Sequence, residues 1–415
     1  MIGAGSYRAR QARAAALVTA ALAIAAVCAP RAGAARADAE VRALWVVRTS
    51  LTSPQAIATM VAAAQSSGFN TLLVQIRGRG DAYYSGGTEP RATPLASQPD
   101  FDPLAVTIAL AHHAGLQVHA WVNVNLVAGA DLPAAREHVI YRHPEWLMVP
   151  RALAEDLLVV PPRSPEYIGR LTRYVRSQPT ELEGLYVSPI TEAAGDYTAG
   201  VVRDIVSRYA VDGVHLDYIR YPTDEFDYSR EALLAFRRDV AADIPTADVH
   251  RLDARLAAEP LAYALAFPER WRAFRQARLT SLVGRLREAV KSARPSATIS
   301  AAVRPDATEA TTRRLQDWPT WLDRGLIDVV CPMAYTTDSG TFASQIAAAR
   351  DAAGPRPIWA GIGAYRLSAD QILQNVQAAR RLGAGGVILF SYDSLTGPSR
   401  GLEYLAQLGR AAFVQ

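Results

Sequence analysis

The stretch Val211-Asp212-Gly213-Val214-His215-Leu216-Asp217-Tyr218-Ile219-Arg220-Tyr221-Pro222 ends an apolar strand in a cluster of ionisable groups and stops it with a proline. In a parallel α/β fold the carboxyl end of a strand is where chemistry is placed. Val214, Leu216 and Tyr218 alternate with His215 and Asp217. One face of the strand is therefore apolar, and the other carries an imidazole and a carboxylate.

Working outward, seven further β-rich runs flank this one. Strands are predicted over Val41–Val47, Thr71–Ile76, Gln117–Val124, Gly213–Ile219, Thr298–Val303, Asp328–Tyr335, Pro357–Gly363 and Gly386–Ser391. The last four begin about 30 residues apart, the length of one strand, one helix and two loops. Between the strands, Ile57, Val61 and Ala64 form one helical stripe, and Leu279, Leu282, Val283, Leu286 and Val290 another. Eight such units predict α/β class and a (β/α)8 barrel of the TIM type, as one domain over residues 38–415. An open doubly wound sheet is the alternative, but no Gly-rich phosphate loop follows the first strand. Two connections are long: residues 125–212 after strand three and 223–297 after strand four. Insertions of this size at the catalytic end serve as lids or cleft walls. Leu185-Tyr186-Val187-Ser188-Pro189, within the first, has the composition of a short ninth strand.

The first 37 residues place Arg8, Arg10 and Arg13 before an apolar run from Ala14 to Ala29, then small residues around Ala34 and Ala37. This is the pattern of a signal peptide spanning residues 1–37, so export to the periplasm, cell envelope or exterior is expected. The competing reading is an N-terminal membrane anchor, for which the run is short. No later segment is apolar enough to cross a bilayer. Cleavage would remove five arginines and no acid, leaving 39 basic against 40 acidic residues from the 44 and 40 of the whole chain. The basic pI thus belongs to the leader and gives no argument for nucleic-acid binding. Cys331 would be the only cysteine left, so no internal disulfide can form.

The predicted strand ends gather Arg77, Arg79 and Asp81; Trp121, Asn123 and Asn125; His215, Asp217 and Arg220; Arg304 and Asp306; Tyr335 and Asp338; Tyr365; and Tyr392 with Asp393. Carboxylates, amides, arginines and aromatic rings around one mouth suit a carbohydrate, whose flat faces stack on rings and whose hydroxyls need paired donors and acceptors. Glycoside hydrolysis requires two carboxyl groups flanking the bond. Asp217 is the first candidate for nucleophile or base, with Asp81 or Asp338 as proton donor. Each has a competing structural role: Asp217 ordering Arg220, Asp81 capping the Gly78–Gly80 turn, and Asp338 and Asp393 shaping loops. Arg77, Trp121, Asn123, His215, Arg220, Tyr335, Tyr365, Tyr392 and Asp393 are candidates for holding the sugar. Neither a His-x-His on strand one nor a Cys/His cluster is present, so no metal or cofactor is expected. The absence of a Gly-x-Ser-x-Gly elbow speaks against Ser-His-Asp catalysis.

Several of these pieces follow a known order. Gln75-Ile76-Arg77-Gly78-Arg79-Gly80-Asp81-Ala82-Tyr83-Tyr84, Val118-His119-Ala120-Trp121-Val122-Asn123, His143-Pro144-Glu145-Trp146-Leu147, the Arg208–Pro222 stretch, Gln316-Asp317-Trp318 and Cys331-Pro332-Met333-Ala334-Tyr335 together resemble the glycoside-hydrolase-like 10 family of exported bacterial barrels. The resemblance implies a barrel handling polysaccharide in the cell envelope, with peptidoglycan glycan strands as the associated substrate. One segment departs from the family's pattern: Val187-Ser188-Pro189-Ile190-Thr191-Glu192 stands where a Leu-Asn/Asp-Pro-Gly segment is usual. The chain also differs from chitinase-type barrels, which carry Asp-Gly-x-Asp-x-Asp-x-Glu on strand four. Here His215 replaces the middle Asp and Ile219 the proton-donating Glu. The expectation is an exported glycosidase with a polysaccharide or oligosaccharide partner. A barrel that binds glycan without cutting it is the alternative, favoured by the lack of a Glu at strands four to seven.

Overall fold

The computed structural model describes residues 40–414; the expected leader lies outside the described residues. Ten strands occur among them: β1 (Val41–Val46), β2 (Thr71–Arg77), β3 (Gln117–Asn123), β4 (Leu126–Ala128), β5 (Leu185–Tyr186), β6 (Gly213–Asp217), β7 (Thr298–Val303), β8 (Val329–Ala334), β9 (Trp359–Ile362) and β10 (Gly386–Phe390). Eight close into a parallel barrel in the order β1-β10-β9-β8-β7-β6-β3-β2. These are the eight predicted strands, with ends shifted by one or two residues. The ring closes between first and last, with Val41 beside Gly386 and Trp45 beside Phe390.

Alternation along each strand sorts side chains into two layers. In β1, Ala43 and Trp45 point into the ring, where they meet Leu73, Trp121, Cys331, Trp359 and Ile388. Leu44 and Val46 point outward and join the larger core under the helices, with Leu72, Val74, Val214 and Leu216. The same alternation in β6 turns His215 and Asp217 inward. A packed interior of this kind leaves the barrel open to ligands only at its mouth.

The outer helices follow the sequence stripes. Ser53 caps the helix Pro54–Ser66 by accepting from the Ala56 amide, and Ile57, Met60, Val61 and Ala64 form its buried face. The long helix Pro268–Ala293 buries Leu279, Leu282, Val283, Leu286 and Val290. Trp318 and Trp321 are fully buried in the layer between helices and barrel. No helix among the described residues is long and apolar enough to cross a membrane.

Between β3 and β6 the chain forms the antiparallel pair β4–β5, with Leu126 opposite Tyr186. The loop after β6 and the helices that follow build a satellite core around Tyr228, Phe236, Leu252, Trp271 and Phe274. Both excursions leave the barrel at the carboxyl ends of their strands, β3 and β6.

Candidate active site

At the carboxyl end of the barrel lies a cavity of about 230 Å³. Its aromatic lining is Trp45, Trp121, Tyr335 and Phe390; its polar lining is Gln75, Asn123, Asp217 and the arginines Arg48, Arg79 and Arg220. The rings brace one another: Tyr335 stacks on Phe390 at 5.5 Å between centroids, and Trp45 meets Phe390 edge to face at 5.9 Å. A 310 Å³ depression between Trp146, Tyr167 and Tyr228 is larger, but no barrel-strand residue lines it.

Asp217 ends β6, and the chain turns sharply after it because Tyr218 takes a left-handed φ of 49°, a strained choice for a non-glycine residue. That turn brings the Tyr218 amide onto Asp217 Oδ1 at 2.7 Å. The Trp121 indole donates to Oδ2 at 3.2 Å, and Arg220 Nη1 stands 3.6 Å from Oδ1. Burial pushes the Asp217 carboxyl above the usual range, with Arg220, the Tyr218 amide and Trp121 pulling the other way. Arg220 lies over the Tyr218 ring at 4.2 Å. Its other terminal nitrogen reaches Glu183 Oε1 at 3.2 Å, and Glu183 Oε2 accepts from the Tyr186 hydroxyl at 2.7 Å. Burial alone would raise Glu183, but Arg220 and Tyr186 outweigh it and hold this carboxyl below its ordinary value. One guanidinium therefore joins two carboxyls whose environments push them in opposite directions.

His215 lies below the cavity floor and is fully buried. Trp45 donates its indole N–H to His215 Nε2 at 3.0 Å, which assigns the ring proton to Nδ1, 2.9 Å from Ser300 Oγ. Burial holds this imidazole neutral, with its pKa lowered to about 3. His215 therefore fixes Trp45 from beneath. Asn123 donates to the Gly78 carbonyl at 2.8 Å and faces Gln75, which in turn accepts from Arg48 at 2.7 Å.

Of the residues nominated from sequence, Asp217, Trp121, Asn123, Arg220 and Tyr335 line the cavity together. The others are placed elsewhere. Arg77 is fully buried and grips Glu89 through Nε and Nη2 at 2.7 and 2.6 Å, with Nη1 on the carbonyls of Asn123 and Val124. Asp81 accepts from the amides of Arg79 and Gly78 at 2.8 and 3.3 Å. Asp338 caps the helix Ser339–Ala353 by accepting from the Thr341 amide, and it is solvated, its carboxyl held low by Thr341. Asp393 accepts from the Val47 amide at 2.9 Å and from the Thr49 and Ser50 hydroxyls. Tyr365 stands half-exposed, edge to face with Tyr335 and Phe390, and Tyr392 is buried in the outer core. The strand-end pattern does not single out Arg48, Gln75 or Glu183. Arg48 and Gln75 carry the same signal as the others, a polar group at the carboxyl end of a barrel strand. Glu183 lies before β5, where no such rule applies.

Residues 40–369 match the family model described as Glycosyl hydrolase-like 10. Glycosyl hydrolase YngK of Bacillus subtilis (strain 168) is 25% identical over 207 residues, which cover 45% of this chain and 34% of that protein. Glycosyl hydrolase DigH of Escherichia coli (strain K12) is 26% identical over 168 residues, 37% of this chain and 31% of that one. The matches thus span about a third of the length of these relatives. Among solved structures, the PgaB (BpsB) glycoside hydrolase domain from Bordetella bronchiseptica superposes with a TM-score of 0.62 at 15% identity, covering 91% of this chain and 99% of that one. The cold-adapted beta-galactosidase from Rahnella sp. R3 gives 0.59 at 15% identity, covering 91% and 56%. These structural likenesses bear on the fold alone.

Proposed function

The chain belongs to the glycosyl hydrolase-like 10 family, and on that premise we propose that it is an exported glycoside hydrolase acting on a cell-envelope polysaccharide, with peptidoglycan glycan strands as the substrate. The observation that carries this reading is Asp217, a buried carboxyl with a raised pKa at the floor of an aromatic-lined cavity. The arginine-rich leader with its apolar run supports export.

Two carboxyls whose environments drive their pKa values apart divide acid and base work between them. On this basis Asp217, pushed upward by burial, is read as the general acid, and Glu183, held low across Arg220, as the partner carboxylate. Glu183 is reached through Arg220 and does not itself line the cavity. Asp217 also remains within reach of the base role assigned to it from sequence. Asp81 and Asp338, the sequence candidates for proton donor, are engaged with backbone amides away from the cavity lining. Tyr335 and Phe390, the partly exposed rings of the lining, offer faces for the sugar, with Trp45, Trp121, Asn123 and Gln75 packed beneath them.

The test is release of reducing ends from peptide-stripped peptidoglycan strands and from α- and β-linked glucans. Asp217→Asn should lower turnover by about 10²- to 10⁴-fold, the range of general acid–base catalysis, with little change in Tm; ordinary activity in that variant removes the assignment. Asp217 is alone among the carboxylates lining the cavity, which favours a non-catalytic glycan-binding barrel as the second reading. Glycan binding by the wild type without any new reducing end would establish it.

A further inference from the structure

We propose that Arg48 and Arg79 form an anion subsite beside Asp217 that selects a saccharide bearing a carboxylate; this rests on reading the cavity as a glycan site. Both arginines line that cavity. Arg220 is matched by Asp217 and Glu183. By contrast, neither the Arg48 nor the Arg79 guanidinium is ion-paired with a carboxylate among the described residues, and the Arg48 guanidinium is hydrogen-bonded to the neutral amide of Gln75. Like charges gathered in a concave, partly desolvated site repel each other until an anion enters.

Unpaired arginines on an open surface are commonplace, but these two are held in place. The turn carrying Arg48 is tied down by Asp393, which takes the Val47 amide and the Thr49 and Ser50 hydroxyls. Arg48 then lies against Gly78, where a Cβ would come 2.5 Å from its Nη1. The backbone of Arg79 is fixed from both sides. Asp81 accepts its amide at 2.8 Å, and His138 Nε2 bonds its carbonyl at 2.7 Å. The Ile140 amide donates to His138 Nδ1, so Nε2 is the donor. Gly80, at a φ of 65°, leaves room for that imidazole, since a Cβ there would stand 2.8 Å from Nε2. Asp81 and Asp393, nominated from sequence as proton donor and sugar ligand, thus act as positioning residues for two arginines.

A planar carboxylate matches the fork of a guanidinium in shape as well as charge. That carboxylate sits either on a ring carbon, as in a uronic acid, or on an ether-linked lactyl arm, as in peptide-stripped peptidoglycan. The experiment titrates the protein calorimetrically at low salt with polyuronate oligosaccharides and with stripped peptidoglycan strands, each before and after reduction of its carboxyls to alcohols. Reduction should weaken binding of at least one glycan by about ten- to a hundred-fold, the worth of one or two charge-assisted hydrogen bonds; which glycan responds identifies the source. Arg48→Gln/Arg79→Gln should fold and bind both forms with the affinity the wild type shows for the reduced one. Arg48→Lys/Arg79→Lys, which keeps charge without the fork, should recover part of the preference. Equal affinities for the two forms, a preference that survives the double glutamine variant, or no binding of either carboxylated glycan overturns the proposal. Reducing ends are measured in parallel. A carboxylate preference without turnover leaves the subsite standing and removes the hydrolase reading, whereas turnover of neutral glucans without any preference does the reverse.

Discussion

Gly78→Ala tests whether Arg48 owes its place to a missing side chain. A Cβ at position 78 would lie 2.5 Å from Arg48 Nη1, 2.7 Å from Cδ and 2.8 Å from Cζ. Because the clash falls on the flexible end of a side chain, the arginine leaves the cavity and the fold stays. The Arg48–Gln75 bond is lost, about 1.5 to 3 kcal/mol for a charged donor. Alanine restricts the unfolded chain and returns about 0.4 to 1 kcal/mol, so the net destabilisation is about 0.5 to 2.6 kcal/mol. Losing a charged contact to the ligand weakens binding of a carboxylated glycan by about 10- to 100-fold and leaves the carboxyl-reduced glycan unaffected. Calorimetric titration and a thermal melt on Gly78→Ala, Arg48→Gln and the double variant measure both quantities. Since both substitutions remove the same guanidinium from the same place, their affinity losses should not add. Losses that add, or a Gly78→Ala protein that binds like the wild type, would refute the reasoning.

Acid stability follows from two buried imidazoles. Burial lowers His119 to about 4 and His215 to about 3, so both stay neutral in the fold and take up a proton only on unfolding below about pH 6.5. Their stabilisation is complete above that value and is lost as the pH falls through the window toward the folded pKa values, at about 1.4 kcal/mol per pH unit for each group. Urea midpoints should therefore drop between pH 6.5 and 4, with a shallower slope in His119→Phe; a slope unchanged by that substitution refutes the assignment. At the Arg77–Glu89 pair, Arg77→Met leaves a buried carboxylate without its partner and should cost about 3 to 5 kcal/mol in urea unfolding. Arg77→Met/Glu89→Met should recover most of that. A double variant as unstable as the single one would show that the bonds to Asn123 and Val124 dominate.

The ring itself was legible because its signals are local: alternation within short strands, helical stripes between them, and a nearly constant repeat length. The inward face of β6 followed from alternation alone, which brought Asp217 to the mouth and His215 beneath it. What the residues do once there is a matter of partners distant in sequence. Arg77 reads as a strand-end ligand until Glu89 and two carbonyls enclose it, helped by a register shift between Gln75 and Arg77 that redirects the chain. Asp81 and Asp393 have the composition of catalytic acids, yet their oxygens are engaged by amides and hydroxyls of neighbouring turns. Glu183 sits in an irregular segment where no periodicity marks it, and only the reach of Arg220 reveals its place.

The tether between Asp393 and the turn at Val47 crosses the seam where β1 meets β10. The residues it joins stand 346 positions apart in the chain, so the tether forms only when the first and last barrel strands meet. Without that closure the turn around Arg48 loses the three hydrogen bonds that Asp393 accepts from Val47, Thr49 and Ser50. On the proposed reading, grip on an anionic glycan therefore depends on ring closure, and a truncation before residue 393 should yield a protein that lacks it even where most of the ring has formed.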